Sequence, residues 1–144
     1  MKILKTLKAM LLGVALLGAT SIGYAQTTVT LAITCGSTTT TSTLLTTWSD
    51  PCVSIPGNVS IMACHSCAAQ LANSNASQKE VRLTAPNQDP GGTGDISVGV
   101  PGSGNFTINP ISSGVPDGTY DIWVEDPCWP GELIKCGTLK ISNC

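Results

Sequence analysis

The chain has 144 residues, of which seven are Lys or Arg, nine are Asp or Glu and one is His, and its formal net charge is -2. Such a small supply of ionisable side chains predicts that the protein is not an enzyme, because acid–base catalysis depends on these groups. A nucleic acid or an anionic membrane surface is not an expected partner either, since both attract basic patches. The length is typical of one small domain.

Residues 1–25 have the pattern of a signal peptide that is removed on export. Three lysines form a basic start, residues 9–19 are apolar or glycine, and Ala25 ends a cleavage segment. The apolar run is shorter than the roughly 20 residues that span a bilayer, which favours a cleaved leader over a membrane anchor. Cleavage leaves 144 − 25 = 119 residues with a net charge of 4 − 9 = −5. We therefore expect a secreted protein, extracellular or at the cell surface, with no membrane insertion after cleavage.

Beyond the leader, apolar residues alternate with polar ones in short segments separated by Gly-, Pro- and Asn-rich turns. This period of two predicts half-buried strands. The segments are residues 29–33, 59–63, 81–83, 96–100, 106–108, 120–124 and 139–141. A helical pattern occurs only at 66–72, for one or two turns at most. The sequence therefore predicts an all-β fold, an antiparallel β-sandwich of seven or eight strands.

All seven cysteines follow the leader: Cys35, Cys52, Cys64, Cys67, Cys128, Cys136 and Cys144. An exported chain this small is expected to be stapled by disulfides. The preferred pair is Cys128 with Cys136, across a turn, and the next is Cys35 with Cys52. Because seven is odd, one cysteine has no partner within the chain. It either bonds to another chain, in which case Cys35 and Cys144 are the candidates, or is a buried free thiol.

The segment Cys64-His65-Ser66-Cys67 concentrates the chemically active side chains. A haem site would need His directly after the second cysteine, where Ala68 stands. Copper or zinc could bind to Cys64, His65 and Cys67, since thiolate and imidazole suit these metals, and a redox dithiol is a further alternative. The favoured interpretation is that both cysteines form disulfides with other partners.

Two binding-site alternatives involve exposed loops and aromatic side chains. Asp89 and Asp95 lie in a Gly-rich loop that offers oxygen ligands for calcium, although a plain long turn is favoured. Trp48, Trp123 and Trp129 could form a stacking platform for a surface glycan, with Trp123 and Trp129 preferred. Apart from calcium, no cofactor is expected.

The start of the mature chain is the main candidate for assembly. Residues 26–34 form a clean alternating strand, residues 35–43 a Thr/Ser-rich linker, and residues 44–144 the rest of the sandwich. A tethered strand can complete the sheet of a neighbour, with Val29, Leu31 and Ile33 as the inserted row. The alternative, that the strand folds into its own sandwich, remains open at this stage.

Residues 113–124 contain Gly118, Tyr120 and Val124, and resemble the Gly-x-Tyr-x-x-x-Val strand of bacterial Ig-like or transthyretin-like surface domains. The leader, the N-terminal strand and the Thr-rich segments are similar to those of subunits of fimbriae and other extracellular filaments. The resemblance implies a structural subunit of a filament or surface layer, which partners with itself and has no catalytic residue. The alternatives are a secreted carbohydrate- or calcium-binding module and a copper, zinc or redox protein.

Overall fold

The computed structural model describes residues 25–74, 80–98, 103–108 and 114–144, with the backbone alone for residues 103–107. The predicted signal peptide lies outside these residues except for Ala25, and so does the end of the predicted strand at 96–100. The described residues contain no helix, which confirms the all-β prediction. None of them forms a helix that is long and apolar enough to cross a membrane.

Ten strands form within the described residues. They are β1 (Gln26–Cys35), β2 (Thr38–Ser49), β3 (Cys52–Pro56), β4 (Val59–Cys64), β5 (Ala68–Asn73), β6 (Val81–Thr84), β7 (Ile96–Ser97), β8 (Ser103–Thr107), β9 (Gly118–Glu125) and β10 (Leu133–Ser142). Each of the seven segments with alternating apolar residues overlaps one of these strands. The strands β2, β3 and β5 are additional to them.

The strands form two five-stranded sheets that pack around one core. Sheet A has the order β3-β2-β1-β5-β8, and sheet B has the order β4-β10-β9-β6-β7. The chain first passes from sheet A to sheet B at Gly57 and Asn58, between β3 and β4. After this crossing, β4 runs parallel to β10, whereas the other described pairs are antiparallel. Sheet B is therefore mixed, and the expectation of purely antiparallel sheets is wrong for this pair.

Residues 38–43, expected to form a linker, are instead the first half of β2. They pair with β1 across a tight turn at Gly36 and Ser37. A run of threonines suits this role because β-branched side chains favour extended backbone. Residues 68–73 form β5 rather than a helix, with Ala69 and Leu71 buried and their neighbours exposed. The pairing of β5 with both β1 and β8 outweighs the helix propensity of its alanines.

The core is aliphatic and receives side chains from both sheets. Leu31 in β1 is 2 % exposed, and Ile122 in β9 and Leu139 in β10 are equally well covered. A bulge in β10 between Lys135 and Gly137 interrupts the ladder with β9. Directly after it, Gly137 pairs with Val59 at the start of β4. The backbone of β4 thus lies against a residue that has no side chain.

Three disulfides join residues that are distant along the chain. They are Cys35–Cys67, which joins β1 to the start of β5, Cys52–Cys128, which joins β3 to the turn after β9, and Cys64–Cys144, which joins the ends of β4 and β10. The first bond lies within sheet A, the third within sheet B, and the second connects the two sheets. The predicted pairs Cys128–Cys136 and Cys35–Cys52 are therefore wrong.

The free cysteine is Cys136, and its side chain is fully buried. It lies at the β10 bulge and belongs to the core, whereas Cys128 is bonded to Cys52. Burial raises the pKa of this thiol to about 12, so the unreactive protonated form prevails. Cys35 and Cys144, which we expected as candidates for a bond to another chain, are both in bonds within the chain. Of the two predicted alternatives for the unpaired cysteine, the structure shows the buried free thiol, and this cysteine is Cys136.

Candidate functional site

Two disulfides meet at a tight turn between β4 and β5. Cys64 ends β4, and Cys67 precedes β5 and is buried. The backbone N–H of Cys67 donates to the carbonyl oxygen of Cys64 at 2.9 Å, which closes the turn. The two sulfur atoms, which belong to different disulfides, are 3.6 Å apart. Their bonding partners Cys35 and Cys144 are both exposed.

His65 occupies the same turn and has acceptors at both ring nitrogens. Its Nδ1 lies 2.6 Å from the carbonyl oxygen of Ile108, and its Nε2 contacts a carboxylate oxygen of Asp117. Only the doubly protonated ring can donate at both positions. The hydrogen bond to Ile108 raises the pKa of His65 above its ordinary value of 6.5, Asp117 raises it further, and partial burial opposes them.

The raised pKa predicts that stability depends on pH through His65. A group whose pKa is higher in the folded state stabilises the fold below its unfolded value, and this contribution is lost as the pH rises through the folded value. We therefore expect the melting temperature to fall as the pH increases from about 6 toward 8. In His65→Gln this part of the profile should flatten, as measured by thermal unfolding at a series of pH values. Parallel profiles for the two proteins would contradict the assignment.

The predicted copper or zinc ligands, Cys64, His65 and Cys67, lie in the same turn, but neither cysteine is present as a free thiolate. Cys64 and Cys67 both have their sulfur in a disulfide, whereas metal binding requires the deprotonated thiol. Within the described ranges, no group of three or more His, Cys, Asp or Glu side chains is placed to hold a metal ion. The metal site stays a prediction that would require these disulfides to be reduced.

The predicted calcium residues lie in the loop between β6 and β7, which folds over the outer face of sheet B. The Asp95 carboxylate lies 3.6 Å from the Arg82 guanidinium and accepts the N–H of Gly91. Asp89 is exposed to solvent. The structure thus gives Asp95 partners within the chain, and calcium binding stays a prediction.

The same loop covers Asp121, a carboxylate on the outer face of β9. Its Oδ2 accepts the N–H of Asn87 at 2.9 Å and lies 2.8 Å from Nζ of Lys135. The residue is almost fully buried. A buried carboxylate with these partners anchors the loop to the sheet.

The two tryptophans preferred for glycan stacking have different surroundings. Trp123 is half-buried, and its Nε1 donates to Oγ1 of Thr84 at 2.9 Å. Trp129 is 65 % exposed in the turn between β9 and β10. A third tryptophan, Trp48, lines a cleft of about 330 Å³ with Asp50, Pro51 and Val53. Trp48 was named with the other two tryptophans as a possible stacking residue, and glycan binding stays a prediction for all three.

The predicted assembly strand is a central strand of sheet A in its own chain. β1 pairs along its length with β2 on one side and, through residues 29–34, with β5 on the other. Val29, Leu31 and Ile33 are buried in the core between the sheets. The structure thus corresponds to the alternative in which this strand folds into its own sandwich.

Two strand edges without a described partner border a cleft on one side of the molecule. β3 pairs only with residues 45–49 of β2, so residues 38–43 have a free edge. β4, at the edge of sheet B, pairs only with β10. A cleft of about 180 Å³ separates the two edges, with Ile33 and Ile61 among its lining residues. Beside it, Met62 is 72 % exposed. We call residues 38–43 and β4 together the open side.

No protein-family model, curated protein or solved structure matches this chain. The resemblance to bacterial surface domains therefore stays a prediction.

Proposed function

We propose that the protein is an exported structural subunit that associates with further copies of itself by adding strands at its open side. The observation that supports this proposal is the pair of free strand edges flanking the cleft. An unpaired edge is a template for another strand, and proteins that remain monomeric usually protect it with charged residues or proline. Residues 38–43 and 59–64 contain neither.

The charge distribution favours a second copy as the occupant. The chain carries more acidic than basic residues, so two copies repel each other in most orientations. Along the open side they can approach without opposing carboxylates, because these two segments have no charged side chain. Main-chain hydrogen bonds and the exposed Met62 would then supply the attraction.

The edges of sheet A also give the association a direction. Residues 38–43 of β2 lie at one edge of this sheet, and the five residues of β8 lie at the opposite edge. Pairing the first edge of one copy with the second edge of the next continues sheet A from subunit to subunit. Such a head-to-tail contact joins different surfaces, and its repetition generates an open filament.

Insertion of β1 into a neighbour is a less favourable route to the same assembly. It would have to break the ladders with β2 and β5 and the bond between Cys35 and Cys67. It would also remove three buried aliphatic side chains from the core. Edge pairing leaves the subunit intact.

The experiment that tests this proposal places a lysine on each edge. Thr41→Lys and Met62→Lys change exposed positions on the outer faces of the two sheets, so the subunit should still fold. A lysine on an edge strand opposes the addition of a further strand, because its charge would lose water at the contact. We expect the double variant to need a protein concentration about tenfold higher, or more, to associate. Light scattering and electron microscopy of the purified protein measure this difference.

Gln70→Lys is the matched control. Gln70 and Thr41 both pair with Ala32 in one row across sheet A, but Gln70 lies on β5, which is paired on both sides. The control should associate like the unchanged protein. A wild-type chain that remains monomeric at millimolar concentration, or equal weakening by all the lysines, would refute edge pairing.

A further inference from the structure

The contact between two disulfides at the turn of Cys64 and Cys67 has no role in the association described above. A disulfide exchanges when a thiolate attacks one of its sulfur atoms, so the attacking sulfur must first be in contact with it. The sulfurs of Cys64 and Cys67 are 3.6 Å apart and belong to different bonds. Once Cys64 is released as a thiolate, it already touches the sulfur it would attack.

The local backbone supports a direct bond between these two cysteines. They are separated by two residues, the spacing of the disulfide in thiol oxidoreductases. The hydrogen bond from the N–H of Cys67 to the carbonyl of Cys64 holds the turn closed, and the N–H of Cys64 lies 3.5 Å from the sulfur of Cys67. Forming the new bond therefore requires movement of side chains more than of the backbone.

The leaving sulfur determines which disulfide an external thiol attacks first, because Cys35 and Cys144 are both exposed. Attack on Cys35 would release Cys67, which is 5 % exposed and whose thiolate is disfavoured by burial, so attack on Cys144 is favoured. Ser66 contributes a hydroxyl group whose oxygen lies 2.9 Å from the sulfur of Cys144 and 3.4 Å from that of Cys64. This hydroxyl can donate a hydrogen bond to Cys64 as it leaves as a thiolate.

We propose that this turn is a thiol–disulfide exchange site for small monothiols. In the first step the monothiol, as its thiolate, attacks the sulfur of Cys144. A mixed disulfide forms on Cys144, the bond from Cys64 to Cys144 breaks, and Cys64 leaves as a thiolate. In the second step Cys64 attacks Cys67, the Cys64–Cys67 disulfide forms, and Cys35 leaves as a thiolate that takes up a proton. The reactants and the products each contain two disulfides and one thiol, so the exchange needs no further oxidant.

The second step is tested without any reagent in Cys144→Ser, in which Cys64 has no partner from the start. We expect about a tenth or more of the molecules to carry the Cys64–Cys67 disulfide and a free thiol at Cys35, since exchange between similar disulfides is nearly balanced. Alkylation in acidic denaturant followed by peptide mass spectrometry locates the thiols. Cys136 is labelled in every sample and serves as the reference. A new thiol found at Cys64 alone would overturn the proposal.

Cys128→Ser is the matched control. It releases Cys52, so its new thiol should remain at Cys52, and movement to other cysteines would indicate general scrambling and contradict a specific site. The first step is tested on the unchanged folded protein with glutathione. We expect the mixed disulfide on Cys144, the Cys64–Cys67 bond and a thiol at Cys35, and slower formation of all three in Ser66→Ala. A Cys35–Cys67 bond that stays intact after Cys144 is modified would also overturn the proposal.

Discussion

Replacing Gly137 with alanine is expected to lower the free energy of unfolding by about 2 to 4 kcal/mol. The φ angle of Gly137 is +145°, a conformation that residues with side chains rarely adopt. A Cβ atom at this position would lie 2.1 Å from the oxygen and 2.6 Å from the nitrogen of Val59. These are backbone atoms of β4, so relief requires the parallel ladder between β4 and β10 to shift.

Gly94→Ala is the appropriate control for this variant. Gly94 has no neighbouring atom within 4 Å of an added Cβ. Its replacement should change the unfolding free energy by less than about 0.5 kcal/mol. Urea denaturation of both variants measures the difference, and hydrogen exchange should show faster opening of β4 in Gly137→Ala alone. Equal stability of the two variants would mean that β4 does not approach β10 as described.

Leu31→Ala is expected to cost about 2 to 5 kcal/mol of unfolding free energy, because it removes a buried side chain and leaves a cavity in the core. Leu31 is 2 % exposed at the centre of β1. Since β1 belongs to the sheet of its own chain, the loss should be the same at every protein concentration. A strand donated by a neighbour would instead make stability rise with concentration.

Thr30→Ala provides the comparison within the same strand. Thr30 has the same two neighbouring strands as Leu31 but lies on the opposite face of β1 and is only half-buried. We expect a loss below about 1 kcal/mol, the span of the β-propensity scale. Denaturation at two protein concentrations a hundredfold apart separates the two models of β1 when it is carried out in the Thr41→Lys, Met62→Lys variant, because association at the free edges would also raise the midpoint with concentration. A midpoint that still moves with concentration in that variant would support strand donation.

The strands that sequence analysis predicted are those whose alternation follows from one face being buried. Ile122 and Val124 in β9 are buried in the core, and the spacing of such residues revealed the strand. β2 was missed because its residues 38–43 are all Thr or Ser, so no alternation of apolar side chains marks them. β5 was misassigned because alanine is small enough for either structure. Its pairing with β1 depends on residues about 40 positions away.

The sequence predicted that chemically active side chains concentrate at Cys64 to Cys67, but it did not predict the residues that contact them. The spacing of Cys64, His65 and Cys67 marked the turn as chemically distinctive. The partners Cys35 and Cys144 lie 32 and 80 residues away, and Asp117 lies 52 residues from His65. Such contacts depend on which strands become neighbours in the two sheets, and local sequence carries no record of that. The free edge at residues 38–43 likewise follows from β3 being shorter than β2.

The arrangement of the disulfides also determines how the chain would respond to a pulling force between Gln26 and Cys144. Tension passes along β1 to Cys35, crosses to Cys67, follows the turn to Cys64 and crosses to Cys144. Only ten residues of β1 and four of the turn bear load, which limits extension to about 50 Å at roughly 3.5 Å per residue. Exchange to the Cys64–Cys67 bond would reroute tension through Cys52 and Cys128 and place about 44 residues under load, or about 150 Å. For a force applied at these two residues, the turn at Cys64 would thus set whether the chain behaves as a short tether or as an extensible one.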